Sequence, residues 1–473
     1  MYIGKHGYTI NKCELDNTSI VQIKKDMNVK PYQACKIGGP VSSYPIYRES
    51  TSKYYLPRYY GIEKFGNVNK NVLSKGISID TPFEGDLFEY QVNIVNKFID
   101  FVGDSGGGLL DVEPGKGKTV MALNIISKLG VKTLVVVHKS FLLNQWKERI
   151  EQFLPNARIG LIQGKTLDYK DKDIVIGMIQ TLSTKTFSDD IIQEFGLSVY
   201  DECHHLSAEV FCNVMINVVT NYNLGLSGTM TRKDGLTKVF KYFIGPVIHK
   251  EKTDNNTPVL VKVATFKLDC EKFNETERDF RGNPMYSRMI SKVSNNEHRI
   301  NFMLNILHHE LKVNNNQQIM ILAHTKTLIK TLYDNLNEKY PDNVGLYIGG
   351  MKEDALKESE SKQLIIATYS MASEGLDIKT LTTLLMATPK SDVCQSVGRI
   401  LRSKHSNPLV IDILDTHDVF MSQFNKRKSY YLKKKYDIHV FESLNDYMDN
   451  NFYDIKIKKE RKKKETTCFI NLS

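Results

Sequence analysis

Cysteine is scarce in this chain and no long apolar run is present; each shortage excludes a class of protein. The seven cysteines, at 13, 35, 203, 212, 270, 394 and 468, form no C-x-x-C pair and have no matching histidine spacing. Neither a zinc site nor a disulfide framework is indicated. No stretch approaches the ~18 apolar residues of a membrane span. The start, MYIGKHGYTINKCELD, lacks the apolar run of a secretory signal. Hydrophobic residues at 41% and charged residues at 25% fit a globular composition rather than a disordered or membrane-embedded one. The expectation is a soluble protein with no membrane partner, working in a reducing intracellular compartment.

At roughly 150 residues per domain, 473 residues suggest about three domains, each able to bury a core. The net charge of +10 makes polyanions candidate partners, and its distribution says more. Residues 1–80 hold 12 basic and 6 acidic side chains, residues 421–473 hold 13 and 7, and the 340 between them hold 39 and 41. The surplus therefore sits in two flanks around a nearly neutral middle.

Residues 1–80 carry nine of the 24 tyrosines and are broken by glycine and proline, which suggests a small, mainly β or α+β accessory domain. From residue 81 the pattern changes to short apolar runs alternating with helical stretches: GLLDV, TLVVVHK, DIVIGMI, LSVYDE, NLGLSGT. Continuous apolar runs belong to strands buried on both faces, so a doubly wound parallel α/β sheet is expected over 81–250. Residues 251–300 are polar and charged and read as a connecting segment with some structure of its own. A second α/β series follows over 301–415 (QQIMILAHT, NVGLYIGG, KQLIIATYS, TTLLMATP, PLVIDILD), and a basic extension covers 416–473.

The segment GLLDVEPGKGKTVMALNII is an apolar strand, a glycine-containing loop and a helix. Glycines let such a loop curl its N–H groups and the helix N-terminus toward an anion, which is how phosphates are cradled. Gly115 and Gly117 supply the flexibility, Lys118 would reach the β- and γ-phosphates, and Thr119 would hold Mg²⁺. The leading glycine of G-x-x-x-x-G-K-T is replaced by Val112. In LSVYDECHHL an apolar strand runs into two carboxylates. Asp201 would hold Mg²⁺ through water, and Glu202 would polarise the attacking water. Read alone, Asp-Glu at a strand end is also a common helix N-cap. Beside a phosphate loop, the pair indicates a nucleotide triphosphatase.

The order and spacing of these segments resemble superfamily 2 helicases of the DExH kind, over about 81–415. The resemblance implies two tandem RecA-like domains closing on ATP. LFEYQ resembles the adenine-reading motif, giving Gln91 the adenine edge with Tyr90 packed nearby. VVVHKSFLLNQW resembles motif Ia and IQTL the strand-contacting motif before the DExH box, which implies nucleic-acid contacts for His138, Lys139, Gln180 and Thr181. LSGTMTRKDG resembles motif III, with Ser227 and Thr229 coupling ATP state to the nucleic acid; His204, beside His205, is expected to couple the site to other loops. ATYSMASEGLDI resembles motif V, with Thr368 on a backbone phosphate and Gly375 and Asp377 on the nucleotide. KSDVCQSVGRILR resembles motif VI, with Gln395 near ATP and Arg399 and Arg402 as arginine fingers. ILAHTKT resembles motif IV, where His324 is equally a strand-end packing residue.

With YPIYRES and YYLPRYYG in the N-terminal flank and YYLKKKYDIHVF near the end, the whole arrangement resembles helicases of nucleo-cytoplasmic large DNA viruses, relatives of the poxvirus transcript-release helicase. That implies work in viral transcription or genome maintenance on DNA or RNA, single-stranded or forked, in a host cytoplasmic factory or packaged in the particle, with transcription machinery as a candidate partner. Interleaved Tyr and Lys/Arg over 44–60 suit stacking on a single strand, or equally an ordinary domain with half-buried tyrosines. KIKKERKKK reads as a solvated tail or a nucleic-acid-binding segment. An ATP-driven remodelling translocase without unwinding and a catalytically silent scaffold are the alternatives; the presence of Lys118, Thr119, Asp201, Glu202, Arg399 and Arg402 disfavours the scaffold.

Overall fold

The computed structural model describes residues 1–32, 42–113, 115–202, 208–228, 235–250, 258–374, 378–401 and 407–455. Of the residues singled out above, Cys203, His204, His205, Thr229, Gly375, Asp377, Arg402 and the 456–464 tail lie outside them. The chain divides into two compact units, Met1–Lys252 and the remainder from Thr253.

The first unit opens with β1 (Tyr2–Gly4), β2 (Gly7–Asn11), β3 (Asn28–Val29), β4 (Tyr44–Pro45), β5 (Arg48–Glu49) and β6 (Lys53–Leu56), joined by helices α1 (Asn17–Met27) and α2 (Arg58–Phe65). Strands β1, β2, β6 and β5 form an antiparallel sheet in that order. Several tyrosines of this region are spent on packing, although Tyr32 is exposed. Tyr8, Tyr54 and Tyr60 are buried, Tyr8 donates to the Gly66 carbonyl (3.0 Å) and Tyr60 to Asp26 (3.0 Å). Tyr59 donates to the Ser105 carbonyl (2.8 Å), and buried Arg58 donates to the Asn221 carbonyl (2.8 Å). Of the two readings of the 44–60 stretch, these contacts favour the small packed domain, because a ring holding an interior partner is not a free base platform.

The larger sheet of this unit comprises β7 (Gly107–Asp111), β8 (Thr133–Val137), β9 (Ile159–Gln163), β10 (Thr166–Asp168), β11 (Ile174–Met178), β12 (Leu197–Asp201), β13 (Tyr222–Ser227) and β14 (Val247–Lys250). Their order is β10-β9-β11-β8-β12-β13-β7-β14, with β10 antiparallel and the rest parallel. Successive strand residues point to opposite faces, and both faces are covered. Leu109, Leu134, Val136 and Val175 face a core shared with the N-terminal tyrosines. Leu110, Val135, Val137 and Ile176 face a second core against α3 (Glu89–Ser105), α4 (Lys118–Leu129) and α5 (Ser140–Phe153). Those two linings are why the strands read as unbroken apolar runs.

The second unit holds β15 (Leu260–Phe266), β16 (Gln318–Ala323), β17 (Val344–Tyr347), β18 (Leu364–Thr368), β19 (Leu381–Met386), β20 (Leu409–Asp415), β21 (Asp437–Phe441) and β22 (Tyr453–Asp454), in the order β17-β18-β16-β19-β20-β15-β21-β22. All neighbours are parallel except the β21–β22 pair. Each unit is thus a helix-flanked, mostly parallel eight-stranded sheet, the architecture of tandem RecA-like domains. Two boundaries differ from the sequence reading. The expected connection at 251–300 contains β15, an interior strand between β20 and β21, and the expected extension after 415 contains the helix Asp418–Lys433 and β21. Hydrogen bonding along both edges of β15, and burial of Val261, Val263 and Ala264, draw this segment into the domain despite its polar neighbours.

Candidate nucleotide site

The chemistry of the first unit gathers at the C-terminal ends of β7, β13 and β12, where open α/β sheets bind ligands. β13 lies between the other two and sets their register: Ser227 pairs with Asp111, and Leu226 with Asp201. Val112, standing where the phosphate loop ordinarily begins with glycine, is fully buried and donates its N–H to the Ser227 carbonyl (3.0 Å). It extends the β7–β13 pairing by one bond, so the loop's turn begins later and needs no glycine there. Gly115 (φ 84°) and Gly117 (φ 78°) make that turn in the left-handed region. A Cβ on Gly117 would stand 2.3 Å from Gln91 Nε2. Lys118 and Thr119 then open α4, whose exposed N–H groups favour an anion.

Across from the loop, Lys118 Nζ donates to Glu202 Oε1 at 2.7 Å. Glu202 itself has a left-handed backbone (φ 46°), a costly conformation for a residue with a side chain and one that clusters at functional sites. Asp201, 7% exposed at the tip of β12, accepts from Trp146 Nε1 at 2.8 Å. Burial first, then the neighbouring Glu202 carboxylate, push Asp201 above the ordinary carboxylate range, against the opposing pull of Lys118, Trp146 and His138. The donor set fits magnesium, since a threonine hydroxyl and carboxylates are hard oxygen ligands, and glycine at 117 is what lets the Gln91 side chain rest against the loop, where a Cβ would collide with it.

The adenine-motif residues tie the loop from the other side. Gln91 Oε1 accepts from the Phe88 N–H (3.0 Å), while Gln91 Nε2 (3.0 Å) and Tyr90 OH (3.1 Å) both donate to the Lys116 carbonyl. Exposed Phe88 and Tyr90 stack at 5.9 Å with planes 7° apart, leaving an aromatic surface beside the loop. Among the residues expected on the nucleic-acid side, exposed Gln180 donates to the His138 carbonyl (2.9 Å), joining two motifs, and Lys139 is the N-cap of α5. The Thr181 hydroxyl is engaged internally, accepting from the Gly164 N–H (2.9 Å).

On the second unit, Thr368 Oγ1 lies 3.2 Å from Ser370 Oγ at the end of β18. Gln395 is on the short helix Cys394–Val397, and Arg399, 6% exposed, follows it. His324 Nδ1 lies 2.7 Å from the Thr388 hydroxyl, and its ring meets Tyr369 at 4.6 Å. The sequence reading did not single out Trp146 by itself, nor the Lys116 carbonyl; both act through tertiary contacts that carry no local sequence signal.

A phosphate loop, a strand-tip carboxylate pair and a second parallel α/β unit define a nucleotide-triphosphatase of the helicase class. The sequence profile of the type III restriction enzyme res subunit matches residues 84–232. An ATP-dependent RNA helicase, so named, of Acanthamoeba polyphaga mimivirus is 36% identical over 461 residues, covering 93% of this chain and 88% of its own. One of the same name from African swine fever virus is 28% identical, covering 76% of this chain and 75% of its own. A protein of Invertebrate iridescent virus 6 that carries a helicase name is 25% identical, covering 80% of this chain and 88% of its own. The chain belongs to this superfamily 2 family of ATP-dependent helicases found in large DNA viruses.

Proposed function

We propose that the chain hydrolyses Mg²⁺·ATP to move along a nucleic-acid strand, separating a duplex or displacing a transcript or protein during viral transcription or genome maintenance, in a cytoplasmic factory or the particle. The observation that carries the reading is the Lys118–Glu202 pair at 2.7 Å beside Asp201. Lysine is a flexible point charge, so an incoming phosphate competes directly with the carboxylate for it. As Lys118 turns to the phosphates, Glu202 is freed to accept a proton from the attacking water. Asp201 and Thr119 would hold the magnesium ion, which when bound offsets phosphate charge. Gly115 and Gly117 present backbone N–H groups, and Gln91 with Tyr90 fixes the base end. Arg399 and Arg402 are the candidates for transition-state charge on the second unit.

The mimivirus and African swine fever virus names support RNA among the substrates. A comparison of ATPase rates with matched single-stranded RNA, single-stranded DNA and forked duplexes tests this. Stimulation by single-stranded RNA is the expected result, and a rate that RNA leaves at its nucleic-acid-free value would defeat the RNA assignment. Strand displacement assayed beside displacement of a bound protein separates unwinding from remodelling.

A further inference from the structure

We propose that Trp146 is a positioning residue for the magnesium site, its indole N–H setting the orientation of the Asp201 carboxylate. The inference rests on Asp201 being the magnesium aspartate. Trp146 is the only tryptophan in the chain. It projects from α5, is 1% exposed and packs in the apolar cluster with Val135, Val137 and Ile150. A tryptophan buried for volume alone still needs an acceptor for its N–H, and a backbone carbonyl ordinarily serves. Here the acceptor is the site carboxylate, with Nε1 2.8 Å from Asp201 Oδ2.

The choice of donor matters chemically. Indole N–H donates and never accepts, and it does not titrate in the working range, so it holds the same oxygen whatever the pH. A lysine or arginine at that place would bring a positive charge against the metal; a neutral donor fixes the carboxylate while leaving its full negative charge and its second oxygen available. Close packing around the ring prevents the donor from following a carboxylate that rotates away. This is the support that ligand-orienting partners give metal-binding side chains elsewhere.

The test uses the full chain and measures ADP affinity by calorimetry, once with Mg²⁺ and once with EDTA. The ratio of the two dissociation constants isolates the contribution of the metal. Trp146→Phe keeps an aromatic ring and removes the N–H. The ratio is expected to fall roughly ten- to hundredfold, the range for one hydrogen bond to a charged group, with the affinity for metal-free ADP unchanged. Indole emission from the wild-type chain should shift on adding Mg²⁺·ADP and not on adding ADP with EDTA. If Trp146→Phe does not fold, a benzothiophene analogue of tryptophan, incorporated at this single site, removes the N–H at constant shape. An unchanged ratio, or an equal loss of affinity with and without metal, overturns the positioning role. Failure of the wild-type chain to bind Mg²⁺·ADP at all would instead overturn the nucleotide-site reading on which it depends.

Discussion

Two strands, β20 of the second unit and β12 of the first, hold the buried carboxylates they carry in opposite ways. In the second unit, Asp412 and Asp415 on β20 are each gripped by an arginine fork. Arg427 donates to Asp412 from Nε (2.7 Å) and the guanidinium terminus (2.9 Å), and Arg299 to Asp415 at 2.6 and 2.8 Å. All four side chains are essentially excluded from solvent. In the first unit, Asp201 accepts a neutral N–H from Trp146, and Glu202 accepts from Lys118, a lysine that remains 10% exposed. Bidentate forks fix geometry, whereas a lone ammonium on a flexible stem can exchange partners. One pattern locks a domain together; the other leaves charge ready to be handed to a ligand.

That contrast can be broken from either side. Glu202→Gln should lower the ATPase rate on the order of 10³-fold, as expected for loss of a general base, while thermal unfolding of the chain stays nearly unchanged. Arg427→Ala should do the reverse at the level of the fold. Stranding Asp412 in the interior should cost about 3–5 kcal/mol, read as a lowered denaturant midpoint of the second unit. Tyr90→Ala, which removes one of the two side-chain donors on the Lys116 carbonyl, should raise the KM for ATP several-fold with little change in kcat, and an altered kcat alone would contradict the binding role. Deleting 456–464, seven of whose nine residues are basic, should weaken nucleic-acid binding and flatten its salt dependence without changing basal ATPase. Affinity that stays the same at low salt would exclude that segment from the interface.

The smallest effect concerns His324. Partial burial, aided by Lys390, lowers its imidazole from 6.5 to about 4. Between those values the unfolded chain binds a proton that the folded unit refuses, so stability falls as pH drops through that window. His324→Gln should make that slope shallower in urea titrations run from pH 6.5 to pH 4.

The reach of the sequence reading followed sequence distance. Gly117, Lys118 and Thr119 are consecutive, as are Asp201 and Glu202, so their chemistry shows as local pattern. Apolar strands lined on both faces likewise announced two α/β sheets. What stayed hidden depends on pairing across the chain. Trp146 and Asp201 are 55 residues apart, and Arg299 finds Asp415 across 116. Strand β15 was obscured because polar stretches surround it, and its place between β20 and β21 is fixed only by their hydrogen bonding. The basic character of the C-terminal flank also misled in part. Arg427, counted there as surplus charge, is neutralised by Asp412 in the interior.

The most direct test of the central claim is the ATPase rate of the full chain with and without nucleic acid, compared with Lys118→Ala. Nucleic acid should stimulate the wild-type chain, and the stimulated rate should fall by at least about 100-fold in the variant. A wild-type rate indifferent to nucleic acid, or a variant that hydrolyses ATP as well as the parent, would contradict the claim.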